Sequence, residues 1–294
     1  MTASRGRRRQ VEVFSPGSVL EAVQMLTELR EPVDILAGGT DLMAQVEAGH
    51  RDLAKVVLDL SRLDDLRGIE LDGDEIRIGA MTTYAQILDS DQLAQDTPSL
   101  LAAAITVGGP QIRNQGTIGG NLMNGSPAAD LVPPLLAVGG FAVLTSNEGQ
   151  RKVPVFSFYL GYRKPVARAG ELLTEVRVPR KPPGAVDYFR KVAPRRAQAI
   201  SKLVLAGRAW GAVDDAGVRR VEELRLGVGA VGPTPARLFE TERFLSGRRL
   251  DDAAIRDAIR VMQSEIQPWD DHRSTEVYRR RVAGNLLREF AGRL

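Results

Sequence analysis

The sequence predicts an α+β protein of two domains, in which a larger domain precedes a smaller one. Strand and helix patterns mix irregularly up to Pro179, whereas the remainder holds strand patterns followed by helix patterns. Between these regions lies 181–184 (KPPG), whose composition is typical of a linker. A length of 294 residues, 43% of them hydrophobic, allows both domains to bury a core. We therefore expect domains at 11–180 and 185–294, after a mobile arm at 1–10.

The larger domain opens with a strand, a helix and a second strand. VEVF (11–14) predicts a short strand, and Ser18 is suited to cap the amphipathic helix that follows it. VDILA (33–37) predicts a buried strand, which runs directly into Gly38-Gly39-Thr40-Asp41 and a short helix. This unit is therefore a strand, a glycine loop and a helix.

Further elements of the larger domain follow in order. Two strand patterns joined by Asp72-Gly73-Asp74 predict a β-hairpin, because Asp-Gly favours a tight turn. Thr82 and Thr83 are suited to cap a helix that starts at Tyr84. The other predicted elements are a strand at 56–60, apolar helical segments at 100–109 and 131–140, strands at 141–146 and 152–155, and a strand that closes at Pro179.

The smaller domain is predicted to be an antiparallel sheet covered by helices. Its strand patterns are YFRKVA (188–193), AISKLVLAGRAW (199–210) and VEELRLGVGAV (221–231), and helix patterns follow at 235–247, 251–266 and 274–290. Gly227, Gly229 and Gly232 have the G-x-G-x-x-G spacing of a nicotinamide-binding loop, but such a loop needs a further strand after its helix. We predict instead a strand ending in a turn, before a helix started by a proline.

Two glycine segments of the larger domain predict a ligand site. In 113–130 (RNQGTIGGNLMNGSPAAD), glycines leave room for another molecule near the backbone, and small polar side chains supply hydrogen bonds. We predict an ordered loop there, neither an ordinary helix nor a strand, around an anionic or planar ligand. The loop at 38–41 could hold a diphosphate through successive N–H groups. Asp41 would repel phosphate, so we expect it to cap the following turn or bind hydroxyls.

Composition restricts the chemistry that the chain can perform. With no cysteine and only His50 and His272, a thiol nucleophile is excluded and a metal site is disfavoured, so redox chemistry needs a bound organic cofactor. The net charge of +3 comes largely from the opening arginines, which lack interleaved aromatic residues. No apolar run approaches the roughly 18–20 residues of a membrane span. We expect a cytoplasmic protein that has no membrane span and no secretion signal and that does not bind nucleic acid.

Two segments, LAGGTDLMAQV (36–46) and PQIRNQGTIGGNLMNGSPAADLVPPLLA (110–137), resemble the FAD-binding subunits of the molybdenum hydroxylases. This family includes xanthine dehydrogenase and the medium subunits of carbon monoxide and N-heterocycle dehydrogenases. The similarity continues through GYRKPVARAGELLTEVRVP (161–179) and DDHRSTEVYRRRVAGNLL (270–287), and covers nearly the whole chain from Val11 onward. It implies a two-part FAD-binding domain of the vanillyl-alcohol-oxidase (PCMH) type and a smaller α+β C-terminal domain.

The resemblance also implies which residues bind FAD and that this chain holds no metal. By position they are Leu36, Ala37, Gly38, Gly39, Thr40, Asp41 and Leu42 at the diphosphate, Thr117, Gly120 and Asn121 at the diphosphate and flavin, Ala129 and Asp130 at the ribityl or adenosine part, Val107, Ile112 and Leu173 packed near the cofactor, and Lys191 near the isoalloxazine.

An electron-transfer subunit is the implied function. A molybdenum–pterin centre in a large partner subunit would oxidise the substrate, and [2Fe-2S] clusters in a small partner subunit would pass electrons singly. FAD in this chain would then deliver them in pairs to NAD+ or another acceptor. A dimer of heterotrimers is implied, and GYRKPVARAGE (161–171) is closest to the xanthine dehydrogenase branch, which favours a purine or another N-heterocycle as the substrate of the complex.

Two alternatives stay open at this point. A stand-alone FAD oxidoreductase of similar fold would bind its substrate directly over the flavin, although the chain shows no clear residue for covalent flavin attachment and no acid–base set. A basic nucleic-acid-binding module would use the arginine-rich arm and YRRR (278–281), and its binding would fall steeply with salt.

Overall fold

The computed structural model describes residues 10–195, 198–215, 217 and 219–294, so the arginines of the predicted arm lie outside the described residues. Within these residues, the strands form a three-stranded parallel sheet, a five-stranded antiparallel sheet, a four-stranded antiparallel sheet and a two-stranded ribbon. Helices are mixed with mainly antiparallel sheets, so the predicted α+β class is confirmed.

The N-terminal layer is a small parallel sheet with strand order β1-β3-β2. The Ser18 hydroxyl caps its first helix, as predicted, by accepting a hydrogen bond from the Glu21 N–H at 3.1 Å. The loop at 37–41 leaves this sheet at the carboxyl end of its second strand. The elements are β1 (Glu12–Phe14), α1 (Val19–Glu28), β2 (Val33–Leu36), α2 (Leu42–Glu47) and β3 (Val56–Asp59).

The central antiparallel sheet has the strand order β4-β5-β10-β6-β7, and its side chains share one hydrophobic core with the helices between β5 and β6. The predicted hairpin forms, with Gly73 at φ +61°. Its elements are β4 (Ile69–Asp72), β5 (Glu75–Gly79), α3 (Tyr84–Leu88), α4 (Asp91–Asp96), α5 (Pro98–Ala104), α6 (Pro110–Gln115), α7 (Ile118–Met123), α8 (Val132–Val138), β6 (Phe141–Ser146), β7 (Gly149–Pro154), the ribbon β8 (Tyr159–Gly161) and β9 (Lys164–Pro165), and β10 (Leu172–Pro179).

Helices α6 and α7 correct one prediction, because the glycine-rich segment at 113–130 is not simply a loop. Pro110 occupies the first position of α6, and Thr117 is the N-cap of α7, so both helices have ordinary start signals. Each helix has six residues. Glycine costs a helix only about 1 kcal/mol, and close packing offsets that cost here.

The C-terminal sheet is antiparallel and covered by helices, as predicted. The helix after Gly229 does not begin at a proline, because residues 236–237 first pair with the preceding strand and the helix starts at Phe239. That prediction was wrong. The elements are β11 (Val186–Val192), β12 (Leu203–Trp210), β13 (Glu223–Gly229), β14 (Ala236–Arg237), α9 (Phe239–Leu245), α10 (Asp252–Glu265) and α11 (Glu276–Ala291).

Gly227 shows what the G-x-G-x-x-G spacing does in this fold. A Cβ built on Gly227 would lie 2.2 Å from the carbonyl oxygen of Pro133 in α8. The glycine therefore lets the C-terminal sheet approach a helix of the first part of the chain, and it serves packing, not a dinucleotide.

We expect Gly227→Ala to lower the free energy of unfolding by about 1–3 kcal/mol, because backbone atoms would have to move to accept the new methyl group. Urea denaturation of the purified chain measures this loss. Gly232→Ala is the control, since its Cβ would meet its nearest heavy atom, the Thr234 carbonyl oxygen, at an ordinary 3.5 Å. Equal losses in both variants would contradict the packing role of Gly227.

Candidate functional site

The two glycine segments lie against each other. A Cβ built at Gly38 would lie 1.9 Å from the carbonyl oxygen of Gln115, the last residue of α6. The loop at 37–41 therefore contacts the segment at 113–130 backbone to backbone, an approach that needs glycine. The sequence predicted each segment separately, and the structure brings them together.

The loop at 37–41 connects Leu36, the last residue of β2, to Leu42, the first residue of α2. The predicted capping by Asp41 is wrong: within the described residues, its side chain makes no capping hydrogen bond to α2. Its own backbone is already helical (φ −97°, ψ −44°), whereas a capping residue is extended. The carboxylate accepts a hydrogen bond from Gln45 instead.

Arg163 joins the two glycine segments and was missed in the sequence. Its guanidinium lies 3.7 Å from the Asp41 carboxylate and donates a hydrogen bond of 2.8 Å to Asn124 Oδ1. A Cβ at Gly125 would lie 2.9 Å from the Arg163 Cα, so the chain is tightly packed there. The GYRK segment (161–164) was the available signal, but nothing in the sequence places it beside Asp41.

The residues that follow β5 support helix α7 through close backbone contacts. The Gly119 N–H donates to the Ala80 carbonyl oxygen at 2.9 Å, and a Cβ at Gly119 would lie 2.6 Å from that same atom. Thr117 Oγ1 accepts from the Gly120 N–H at 3.0 Å. Thr117 therefore fixes the first turn of the helix, and Gly119 allows the helix to touch its support.

Asn121, in α7, carries a buried side-chain acceptor. Among the residues that the structure describes, none bonds to its Oδ1, which is shielded from solvent. Burial raises the pKa of the nearby Tyr84 phenol, the Asn121 side chain partly opposes that rise, and the charges of Asp130 and Asp41 add to it. Tyr84 thus stays protonated and is close enough to both carboxylates to be influenced by their charges.

Asp130 forms a buried polar cluster with residues of the C-terminal part. Its Oδ2 accepts from Lys191 Nζ at 2.5 Å, and its Oδ1 accepts from the Ser201 hydroxyl. Lys191 also donates to the Thr106 carbonyl oxygen at 3.2 Å. Burial raises the pKa of Asp130, while Lys191 and then Ser201 oppose that rise. Ser201 was missed because a lone serine before a strand carries no sequence signal.

The apolar residues implied by the resemblance have different surroundings. Ile112 on α6 is 39% exposed, and Val107 is partly buried against the central core. Ala129 is buried beside Asp130. Leu173 on β10 is 3% exposed, and its side chain packs within the same core. Contact of these residues with a cofactor stays a prediction.

Metal-binding clusters and membrane-spanning helices are both absent from the described part of the chain. Among the described residues, no group of three or more His, Asp or Glu side chains could hold a metal ion. In the described part of the chain, no helix is both long and apolar enough to cross a membrane.

Comparison with protein families gives two matches that together span most of the chain. Residues 9–181 match the FAD binding domain in molybdopterin dehydrogenase. Residues 188–294 match the CO dehydrogenase flavoprotein C-terminal domain. These matches confirm the predicted fold, a FAD-binding part followed by an α+β C-terminal part.

Individual relatives are similar over nearly their whole length. The glyceraldehyde dehydrogenase medium chain of Sulfolobus acidocaldarius is 32% identical over 267 residues, which cover 90% of this chain and 91% of the relative. The carbon monoxide dehydrogenase medium chain of Afipia carboxidovorans is 32% identical over 281 residues, which cover 95% of this chain and 94% of the relative. A solved structure of carbon monoxide dehydrogenase from Hydrogenophaga pseudoflava, lacking the Mo-pyranopterin moiety of the molybdenum cofactor, gives a TM-score of 0.89 at 28% identity, with 95% of both chains covered.

We expect Gly38→Ala to weaken FAD binding by about tenfold or more, because its Cβ would force the loop at 37–41 away from Gln115. Titration of the flavin-free chain with FAD, followed by flavin fluorescence, measures the dissociation constant. Gly17→Ala is the control, since its Cβ would meet its nearest heavy atom, Glu21 Oε2, at an ordinary 3.5 Å. Unchanged binding by Gly38→Ala would show that this contact does not shape the site.

Proposed function

Because the chain belongs to the FAD-binding medium subunits of the molybdenum hydroxylases, we propose that it is the electron-transfer subunit of such a complex. FAD would lie between the loop at 36–42 and the segment at 113–130, with Asp130 closing the far side and Lys191 near the isoalloxazine. The proposal divides the chain into a FAD-binding domain at 11–180 and a C-terminal domain at 185–294.

The residues present fit FAD. The buried Asn121 Oδ1 needs a hydrogen-bond donor, and FAD carries hydroxyl and N–H donors. Arg163, 3.7 Å from Asp41, reduces the repulsion that this carboxylate would exert on a diphosphate. We assign the cofactor to Leu36, Ala37, Gly38, Gly39, Thr40, Asp41, Leu42, Val107, Ile112, Thr117, Gly120, Asn121, Ala129, Asp130, Leu173 and Lys191.

When bound, FAD supplies the exchange between one-electron and two-electron carriers. The chain's own groups bind and orient it. Lys191 holds a positive charge in a buried setting, where charge acts more strongly than in water, and Asp130 fixes the position of that ammonium.

The proposed complex supplies what this chain lacks. Its large subunit carries the molybdenum–pterin centre and its small subunit the [2Fe-2S] clusters, in a cytoplasmic dimer of heterotrimers with NAD+ or another acceptor. The glyceraldehyde dehydrogenase and carbon monoxide dehydrogenase medium chains are both 32% identical to this chain, although their names indicate different substrates. Similarity of this chain therefore does not identify a substrate, and the proposal assigns substrate choice to the large subunit. A xanthine-like or other N-heterocyclic substrate belongs to the proposal for the complex, not to this chain.

One observation carries the proposal: the two glycine segments meet beside a buried oxygen that lacks a partner among the described residues. The test is to express the full chain together with its candidate partner subunits. A yellow complex that releases FAD on denaturation and contains molybdenum and iron supports the proposal. Turnover by the yellow chain alone would favour a stand-alone oxidoreductase, and a colourless protein that binds nucleic acid would overturn the proposal.

We expect Lys191→Met to lower the midpoint potential of bound FAD by about 30 mV at alkaline pH, equivalent to about 1.4 kcal/mol for a two-electron couple. Burial raises the pKa of Asp130 and Lys191 opposes that rise, so loss of Lys191 raises this pKa further. Below the new pKa Asp130 is neutral and the net charge of the pair is unchanged. Above the new pKa, Asp130 is ionised and the site gains a negative charge. The lowering of the FAD midpoint potential should therefore grow as pH rises.

The control is the double variant Lys191→Met with Asp130→Asn, which removes both charges and should lose the pH dependence of the midpoint potential.

The free energy of unfolding provides a second readout in the flavin-free chain. Because the carboxyl pKa is raised in the folded state, Lys191→Met should lose stability as pH rises through that pKa and approach the wild type below it. Unchanged flavin content, potential and turnover in Lys191→Met would remove Lys191 from the proposed site.

A further inference from the structure

Ser201 is a buried serine whose hydroxyl contacts the carboxylate of Asp130. This hydroxyl donates to Asp130 Oδ1, while Lys191 Nζ donates to Oδ2 of the same carboxylate at 2.5 Å. Only 1% of Ser201 is exposed, so water does not readily replace its hydroxyl. Each carboxylate oxygen therefore has its own donor, and the carboxylate cannot rotate without breaking a hydrogen bond.

The two donors belong to the same sheet. Lys191 lies on β11, and Ser201 lies two residues before β12, the strand paired with β11. The Lys202 N–H donates to the Val192 carbonyl oxygen at 2.8 Å. These two residues are the neighbours of the donors, so the backbones that carry the hydroxyl and the ammonium are bonded to each other. The C-terminal sheet thus presents both donors at a fixed separation to a carboxylate from the first half of the chain.

The Lys191 ammonium has one N–H left for another group. An ammonium carries three N–H donors, and Lys191 uses one for Asp130 and one for the Thr106 carbonyl oxygen at 3.2 Å. Among the described residues, no hydrogen bond of the structure uses the third. The Lys191 side chain is only 6% exposed, so solvent is a poor substitute for a partner. The direction of this third N–H depends on where Asp130 holds the ammonium.

We propose that Ser201 is a positioning residue for FAD, whose hydroxyl fixes the Asp130 carboxylate so that Lys191 directs its third N–H at the cofactor. The proposal rests on the proposed function, in which Lys191 lies near the isoalloxazine. A donor that is oriented before its ligand arrives binds that ligand at a lower entropic cost. Ser201 acts through Asp130 and Lys191, not through contact with FAD.

Ser201 also affects the charge of Asp130. A hydroxyl that donates to a carboxylate favours its ionised form, so Ser201 opposes the rise that burial causes in the pKa of Asp130, as Lys191 does more strongly. The Tyr84 phenol on α3 is influenced by the same carboxylate, but its own pKa is raised and it stays neutral. Loss of the Ser201 hydroxyl therefore moves the ionisation of Asp130 to higher pH.

Ser99 in α5 offers a matched control. Its hydroxyl donates to Asp187 Oδ2 at 3.1 Å, and Asp187 forms a buried ion pair of 2.7 Å with Arg208. Ser99 is itself buried, at 3% exposure. Ser99→Ala and Ser201→Ala therefore remove equivalent hydroxyls from the carboxylates of two buried ion pairs, but only the pair beside Ser201 belongs to the proposed site.

The experiment measures the FAD dissociation constant and the midpoint potential of bound FAD over a pH series, for the full chain and its variants. Ser201→Ala should weaken FAD binding about three- to tenfold, because Lys191 loses its fixed orientation. The fall in midpoint potential that accompanies ionisation of Asp130 should move up by about one pH unit. Ser99→Ala should bind FAD within about twofold of wild type and leave the pH dependence of the potential unchanged.

A double variant separates positioning from folding. Ser201→Ala with Asp130→Asn should bind FAD within about twofold of Asp130→Asn alone, and neither should show the fall in potential, because Ser201 acts through the carboxylate. In the flavin-free chain, Ser201→Ala and Ser99→Ala should lower the unfolding temperature by similar amounts.

Three outcomes contradict these expectations. Equal effects of Ser201→Ala and Ser99→Ala on FAD binding and potential, or additive losses of affinity in the double variant, would overturn the positioning role while FAD binding by the wild type stands. A wild-type chain that takes up no FAD would overturn the proposed function, and the role of Ser201 with it.

Discussion

The buried ion pair between Asp130 and Lys191 is the constraint on which the arrangement of the two halves depends. Their side chains are 10% and 6% exposed, and a charge buried to that extent is costly unless it is paired. Strand β11 must therefore lie where the glycine-rich segment ends. Ser201, just before β12, adds its hydroxyl to the same carboxylate. The proposed site is therefore complete only when residues from both halves meet.

A second polar contact fixes the orientation of β11. Asp187 and Lys191 are four residues apart on one strand, so their side chains project from the same face. Asp187 pairs with Arg208 on the neighbouring strand at 2.7 Å and accepts a hydrogen bond of 3.1 Å from Ser99 in α5. Polar contacts near both ends of β11 prevent the sliding that apolar packing alone would allow, and so they keep Lys191 in register with Asp130.

Local signals in the sequence predicted much of the fold, because caps, turns and strand periodicity act over a few residues. Ser18, Thr83 and the turn at Gly73 formed as expected. The residues that were missed act over long separations. Tyr84 has the pattern of a core aromatic, and only the fold packs its ring against Gly116 in the glycine-rich segment. Ser201 is likewise defined by a partner 71 residues away, which no local pattern encodes.

The glycines require a different interpretation from the one that their abundance suggests. The sequence alone favours glycines that make room for a ligand, yet Cβ atoms at Gly38, Gly116 and Gly119 would collide with protein atoms. These glycines bring backbone segments together and so build the walls of the site. The group that we propose faces a ligand is instead the Asn121 Oδ1, which is buried and has no partner among the described residues, because leaving such an acceptor unpaired is costly. Glycine spacing therefore predicts where the proposed site lies, and the unsatisfied Asn121 oxygen is the reason to propose which of its surfaces faces the ligand.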